Sequence, residues 1–200
     1  NIFKLTIYII FEFEMQYLAK GKRGMVFLAK LNNVLVAIKT KRPDSKALNS
    51  INNESYWLNR LNKHGIGPKL IDYGENYLAM EYVKGIRFVD YFKETKNKKK
   101  LNKIIKDIFN QCYKLDKLNV NKYEMHNPVK HIIIRKDKAV LIDFERCKKS
   151  RKPKNVTQFC QFLLKLGFKI DRNELIGLLK SYKGSYSIKN FDNLCKLFSL

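Results

Sequence analysis

Short apolar runs separated by turn residues dominate the first 83 positions of the chain. Between residues 16 and 39 these runs alternate with a Gly-Lys-Arg-Gly turn and an Asn-Asn turn, which predicts three antiparallel strands. Pro43 offers a helix start, and apolar residues keep helical spacing from there until Gly65. With two further strands predicted at 70–74 and 77–83, this part of the chain should form a five-stranded antiparallel sheet with one helix.

Helical spacing replaces the strand pattern beyond Gly85, where we expect a flexible connection. Residues 88–92 begin a short predicted helix, and residues 101–118 carry apolar side chains at helical intervals. Two apolar runs within 132–142, separated by polar residues, predict a hairpin. The remaining predicted helices cover residues 159–166, 172–180 and 191–198. The chain is therefore predicted to be α+β, with a second part that is mostly helical.

The formal charge of +23 is extreme for 200 residues. The field of so many lysines and arginines should attract polyanions such as nucleotides, nucleic acid or acidic membrane surfaces. The alternative is that most of these lysines only solvate the surface. The lysine run at 96–100 is typical of an exposed turn rather than of a recognition element.

Two features favour a cytoplasmic protein without a membrane span. The apolar segment 2–13 contains Lys4 and Glu12, lacks a small-residue cleavage site and is too short to cross a bilayer, so a lead-in strand is the better prediction. The four cysteines are far apart and show neither disulfide nor zinc spacing, which favours reduced thiols. They are Cys112, Cys147, Cys160 and Cys195.

Glycines and a lysine in the first part of the chain could bind phosphate. Gly21 and Gly24 bracket a turn whose backbone amides can approach phosphate closely, and Lys22 adds charge, although an ordinary hairpin turn would look the same. Lys39 ends the apolar strand Val36-Ala37-Ile38-Lys39, from which an ammonium group can hold phosphates. It could also simply mark the end of a strand.

Two carboxylates accompany Lys39. Glu54 lies on the predicted helix, where its spacing allows either a contact with Lys39 or a solvent-exposed side chain. Asp143 follows an apolar strand directly and precedes Phe144, a strand-end position at which metal ligands are well held. A plain turn former is the alternative for Asp143.

Five segments, taken in order, resemble the nucleotide-binding parts of protein kinases. They are the Gly21 to Gly24 turn, Val36-Ala37-Ile38-Lys39, Glu54, Met80-Glu81-Tyr82-Val83 and Ile142-Asp143-Phe144. The resemblance covers residues 16–163 and is to the atypical group that includes RIO kinases, the small kinase subunit of the KEOPS complex and bacterial lipopolysaccharide core kinases. Within that group the chain looks like a predicted archaeal serine/threonine kinase. The resemblance implies one two-lobed kinase-like domain over 1–200, with an N-lobe at about 1–83, a hinge at about 80–86 and a reduced C-lobe at about 87–200.

The resemblance also implies that ATP and Mg²⁺ are the cofactors. Lys39 would hold phosphates, Glu54 would fix Lys39, and Asp143 would bind magnesium. Backbone groups of residues 80–83 would receive adenine. The full set of expected nucleotide contacts is Gly21, Lys22, Gly24, Val26, Ala37, Lys39, Glu54, Met80, Glu81 and Val83.

Residues 121–132 occupy the place of the catalytic loop and depart from the family pattern. The segment contains no aspartate, so Glu124 is the available base for a hydroxyl acceptor. His131 stands where the family has an asparagine; it could contact phosphate or be structural, since magnesium prefers oxygen ligands. Asn127 is then the candidate second magnesium ligand. Glu145 also replaces the glycine that usually follows Asp-Phe.

We expect an ATP-dependent phosphotransferase, with a protein serine or threonine as the acceptor. Two alternatives stay open: a pseudokinase that binds nucleotide but has lost its catalytic loop, and an RNA-associated binding protein that uses its basic surface. The basic tract at 146–154 lies beside the expected cleft. It could favour an acidic peptide, a phosphorylated sugar or an RNA-associated partner.

Overall fold

The computed structural model describes residues 15–20, 24–31, 33–41 and 50–200. Over these residues the chain is α+β, with a five-stranded antiparallel sheet, two smaller sheets and six α-helices. The strand predicted at 2–13 and the helix start predicted at Pro43 lie outside the described residues.

The chain divides into two compact units. The first contains the described residues up to Val83 together with Asp143–Glu145, and the second contains Lys84–Ile142 and Arg146–Leu200. The organisation as a single kinase-like domain stays a prediction.

Five strands build the sheet of the first unit. They are β1 (Gln16–Lys20), β2 (Gly24–Leu31), β3 (Val34–Lys41), β4 (Leu70–Tyr73) and β5 (Tyr77–Glu81). Their order is β1-β2-β3-β5-β4, and every neighbouring pair is antiparallel. The five predicted strands are thus confirmed over the described residues, with β3 at the centre.

Helix α1 (Ser50–Leu61) packs on this sheet and contacts β3, β4 and β5. Its buried face carries Ile51, Leu58 and Leu61, and burying each such side chain contributes about 1.5–3 kcal/mol. A 3-10 turn follows, and Gly65 ends it with φ 69. This left-handed conformation suits glycine and explains why the helical pattern stops there, as predicted.

The second unit is mostly helical. Its helices are α2 (Phe88–Glu94), α3 (Lys98–Lys117), α4 (Asn155–Lys165), α5 (Arg172–Ser185) and α6 (Ile188–Leu197). Its strands are β6 (Ile86–Arg87), β7 (Val120–Asn121), β8 (Ile132–Arg135), β9 (Lys138–Leu141) and β10 (Lys148–Lys149). Aromatic side chains join the helices: Phe109 lies 5.3 Å from Phe159, and Tyr113 stacks on Phe191 at 4.4 Å, both between ring centroids.

The turn expected at the lysine run 96–100 was wrong in part. Lys98, Lys99 and Lys100 are exposed but form the first turn of α3, because the Asn97 side chain caps the helix by accepting from the Lys100 N–H at 3.0 Å. Gly85 packs closely, since a Cβ there would collide with the carbonyl oxygen of Ile134, and the flexible connection expected at this position stays a prediction.

The four cysteines lie in the interior of the second unit. All four are buried and no disulfide joins them. Burial raises the pKa of the Cys112 thiol well above its ordinary value. Within the described ranges, none of the helices has the length and apolar character that a bilayer crossing requires.

Candidate active site

Lys39 lies on the central strand of the first unit. The three apolar residues before it are buried, and its own side chain is 12% exposed. Lys39 pairs with Val26 on β2 and with Leu78 on β5, so the sheet holds its backbone from both sides. Its ammonium group is therefore presented by a rigid element.

Glu54 on α1 is the nearest charged partner of Lys39. Lys39 Nζ donates to Glu54 Oε2 at 2.7 Å, and Glu54 is 1% exposed. The other carboxylate oxygen, Oε1, accepts a hydrogen bond of 3.0 Å from the Phe144 backbone N–H. Both oxygens are thus engaged, as a buried carboxylate requires. The sequence left open whether Glu54 is exposed, and the structure places it in the interior.

Asp143, Phe144 and Glu145 are part of the first unit. Asn53 on α1 donates from Nδ2 to the Glu145 carbonyl at 2.7 Å. The Phe144 ring is fully buried, and a Cβ on Gly67 would lie 2.9 Å from it, so the ring needs a glycine there. Asp143 has φ 63, an uncommon conformation for a residue with a side chain, and such strain persists where surrounding contacts fix the backbone.

Three carboxylates surround the Lys39 ammonium group. Besides Glu54, Glu145 Oε2 lies 3.0 Å and Asp143 Oδ1 lies 3.3 Å from Nζ. Burial acts to lower the pKa of Lys39, but the three carboxylates outweigh it and raise the pKa well above 10.5. Burial raises the pKa of Glu54, while the charge of Lys39 opposes that rise. Lys39 therefore stays protonated at every physiological pH.

The cluster contains carboxylate oxygens that suit a cation and an ammonium group that suits an anion. Oxygens of Glu54, Asp143 and Glu145 lie within 4.8 Å of one another, and carboxylate oxygens suit Mg²⁺. Because Glu54 is bonded through both oxygens, Asp143 and Glu145 are the pair suited to a cation. Lys39 beside them suits a phosphate group.

Gly24 has a packing reason to be glycine. A Cβ there would lie 2.6 Å from the Thr40 carbonyl oxygen on the paired strand, so the approach of β2 to β3 excludes a side chain. Val26, two residues later, is half-buried and pairs with Lys39. Gly21 and Lys22 lie outside the described residues, so the structure describes only the last residue of the predicted phosphate turn.

The predicted adenine segment continues from β5. Met80 pairs with buried Ala37 across the sheet. The backbone N–H groups of Glu81 and Tyr82 donate to backbone carbonyls of the same unit at 2.8 and 3.2 Å. Val83, the last residue of this stretch, is half-buried. The amides of Glu81 and Tyr82 are thus already used, and a nucleotide base would have to use other backbone groups of the segment.

Glu124, the predicted base, lies in a 3-10 turn of the second unit and is 8% exposed. Lys122 Nζ lies 3.6 Å from its Oε2, and Arg146 Nε lies 3.6 Å from its Oε1. These are ion pairs rather than hydrogen bonds, and Oε2 has no hydrogen-bond partner in the part of the chain described. Glu124 is therefore a carboxylate held between two cations, with Oε2 able to accept a hydrogen bond.

A buried network that the sequence did not reveal supports the backbone before Glu124. Asp116 accepts from two backbone N–H groups at the start of α4, from the Asn155 side chain at 2.7 Å and from the Tyr182 hydroxyl at 2.8 Å. The Asn155 oxygen accepts in turn from the Lys122 N–H at 2.8 Å. Burial raises the pKa of Asp116 to about 6, and these hydrogen bonds limit the rise.

The other two loop candidates also lie in the second unit. Asn127 is exposed, and its N–H donates to the Glu124 carbonyl at 3.0 Å. His131 is half-buried, and its carbonyl accepts from the Ile142 N–H at 2.9 Å. The backbone therefore explains the position of both residues, and their roles in binding magnesium or phosphate stay predictions.

Glu145 is the functional candidate that sequence reasoning missed. The sequence showed it only as a replacement for glycine after Asp-Phe, although a carboxylate two residues from Asp143 was itself a signal.

No protein-family model matches the chain, and no curated protein matches it. The function is therefore inferred from the residues of the site.

Proposed function

We propose that this chain is a protein-kinase-like phosphotransferase that transfers the terminal phosphate of ATP, with Mg²⁺, to the hydroxyl of a protein serine or threonine. The contact of Lys39 with Glu54 and Asp143, which lie 15 and 104 residues away, supports this most strongly. Phosphoryl transfer needs a fixed cation for the phosphates and a nearby carboxylate for the metal. This cluster offers both.

Each side chain then has a role that its contacts suit. Glu54 orients Lys39 through the shortest of the three contacts of its ammonium group. Phosphate oxygens would take over the N–H donors that now contact Asp143 and Glu145. Asp143 and Glu145 would hold magnesium, which would neutralise charge on the phosphates. Glu124 accepts the proton of the acceptor hydroxyl. At the same time the hydroxyl oxygen bonds to the terminal phosphorus of ATP, and the bond between that phosphorus and ADP breaks.

The test of this proposal is ATP binding and turnover in paired variants. Lys39→Ala should abolish turnover, and Lys30→Ala, which removes an exposed lysine from β2, should leave turnover unchanged. Lys39→Ala also leaves Glu54 buried without its cation, so Asp143→Asn serves as a second variant that keeps the ion pair. Full turnover in both Lys39→Ala and Asp143→Asn would refute the proposal.

A pseudokinase is the second candidate, because the segment 121–132 lacks an aspartate and His131 replaces the expected asparagine. It predicts ATP binding without self-labelling or turnover when magnesium and labelled ATP are supplied.

RNA binding is the third candidate, because of the charge of +23. It predicts RNA affinity that falls steeply with salt and is indifferent to Lys39→Ala.

A further inference from the structure

A run of cations in the second unit follows directly after Glu145. No aspartate or glutamate occurs between Glu145 and Asp171. We name as the basic tract its exposed members Arg146, Lys148, Lys149, Arg151, Lys152 and Lys154. Among the described residues, Arg146 is the only member with a carboxylate within 4 Å, that of Glu124. Carboxylates of the described residues therefore leave most of this charge unneutralised.

Backbone pairing fixes the basic tract beside the strand that leads to Glu124. Lys148 pairs with Asn121, and Lys149 pairs with Val120. The Lys154 N–H donates to the Asn121 side-chain oxygen at 2.8 Å. The cations thus follow β7 on an ordered backbone.

Tyr123 connects the basic tract to Glu124. The Lys148 Nζ lies 4.7 Å and the Arg146 Cζ lies 5.4 Å from the centroid of its ring. A hydrogen bond from Lys148, aided by the surrounding positive charge, lowers the pKa of the Tyr123 phenol. The cations therefore gather at the residue that precedes the candidate base.

We propose that the basic tract binds an acceptor polypeptide through acidic or phosphorylated residues close to its serine or threonine, and so brings the hydroxyl to Glu124. This inference depends on the proposed function. A polypeptide fits better than single-stranded RNA, because such RNA is held by bases stacked on aromatic rings, and two cations already contact the Tyr123 ring. The cations suit separate carboxylate or phosphate groups on a flexible chain.

The test measures the binding of short fluorescent peptides, each with one serine, by anisotropy. The flanking residues are glutamate, phosphoserine or, as the neutral match, glutamine. The basic tract loses three charges in the triple variant Lys148→Gln, Lys149→Gln, Lys152→Gln. The control triple, Lys98→Gln, Lys99→Gln, Lys100→Gln, removes the same charge from the exposed first turn of α3.

We expect the wild type to prefer the glutamate or phosphoserine peptide over the glutamine peptide. The basic-tract triple should weaken binding of the preferred peptide by about tenfold, because it removes three exposed ion pairs that each contribute little. The control triple should weaken binding by less than about twofold, because its lysines do not contact the peptide. The ratio of the affinities for the glutamate and phosphoserine peptides shows whether carboxylate or phosphate is the preferred group.

Two results would overturn the inference. Equal weakening by both triples would show an effect of total charge alone. Tighter binding of single-stranded oligouridylate than of any peptide, weakened by the basic-tract triple, would assign the surface to RNA. ATP binding is measured on the same samples: its absence from the wild type refutes the proposed function, whereas intact ATP binding with equal weakening by both triples refutes this inference alone.

Discussion

Replacing Lys39 by methionine should destabilise the first unit strongly. The substitution keeps an unbranched side chain but removes the cation from Glu54, which is 1% exposed and bonded to Lys39 at 2.7 Å. Breaking a buried ion pair by removing one partner costs about 3–5 kcal/mol, because the remaining charge stays buried without compensation. The side chains of Asp143 and Glu145, which are 33% and 12% exposed, can be hydrated when the ammonium group is removed. Glu54 therefore determines the size of the effect.

Urea unfolding of the variant measures this loss through Trp57, the only tryptophan, which is buried on α1 three residues beyond Glu54. Lys30→Met, on an exposed position of β2, should change the free energy of unfolding by less than about 0.5 kcal/mol. The double variant Lys39→Met, Glu54→Gln should recover most of the loss, because it removes the buried charge. A loss below about 1 kcal/mol in Lys39→Met, or no recovery in the double variant, would contradict the cost assigned to the buried, unpaired Glu54 carboxylate.

The stability that Lys39→Met loses relative to wild type should depend on pH. Burial raises the pKa of Glu54 from 4.5, and without Lys39 the main opposing effect is gone. A group with a raised pKa in the folded state stabilises the fold when protonated and loses that contribution as pH rises through the folded-state pKa. The deficit of Lys39→Met relative to wild type should therefore shrink as pH falls towards 4.5.

Individual contacts of Glu145, Asp116 and Glu124 can each be tested by one substitution. Glu145→Gln removes one carboxylate from Lys39, so nucleotide without metal should bind about fivefold more tightly in calorimetry, and weaker binding would contradict the contact. Because the pKa of Asp116 is raised from 3.8 to about 6, the stability of the wild type relative to Asp116→Asn should fall by on the order of 3 kcal/mol as pH rises through that range; a pH-independent difference in urea unfolding would disprove it. Glu124→Gln should lower phosphate transfer by about a hundredfold or more with ATP affinity unchanged, and an unchanged rate would exclude Glu124 as the base.

Hydrophobic periodicity predicted most of the fold. The five strands and the helices of the second unit follow apolar patterns long enough to show a period. The strands β6, β7 and β10 have two residues each and no such pattern, because pairing with distant segments alone defines them. The helical first turn at Lys98 was also missed, because the Asn97 cap matters more there than the lysine charges do.

The candidate site was predictable where residue order carried it. Lys39, Glu54 and Asp143 were each ambiguous alone, and the fold of the first unit brings them together. Spacing could not show that Glu54 is buried, because charged residues on helices are usually exposed. Nor could it show the Asp116 network, whose partners come from α3, α4 and α5 and meet only in the folded second unit.

Phosphate transfer by this chain is measured by following the terminal phosphate of labelled ATP in the presence of Mg²⁺. The wild-type chain should release or transfer the label, and Asp143→Asn should do so about a hundredfold more slowly or worse while keeping its fold. If the wild-type chain binds ATP but neither releases nor transfers the label, the cluster does not support phosphate transfer. Equal rates of phosphate release or transfer in the wild type and in Asp143→Asn would contradict that role too.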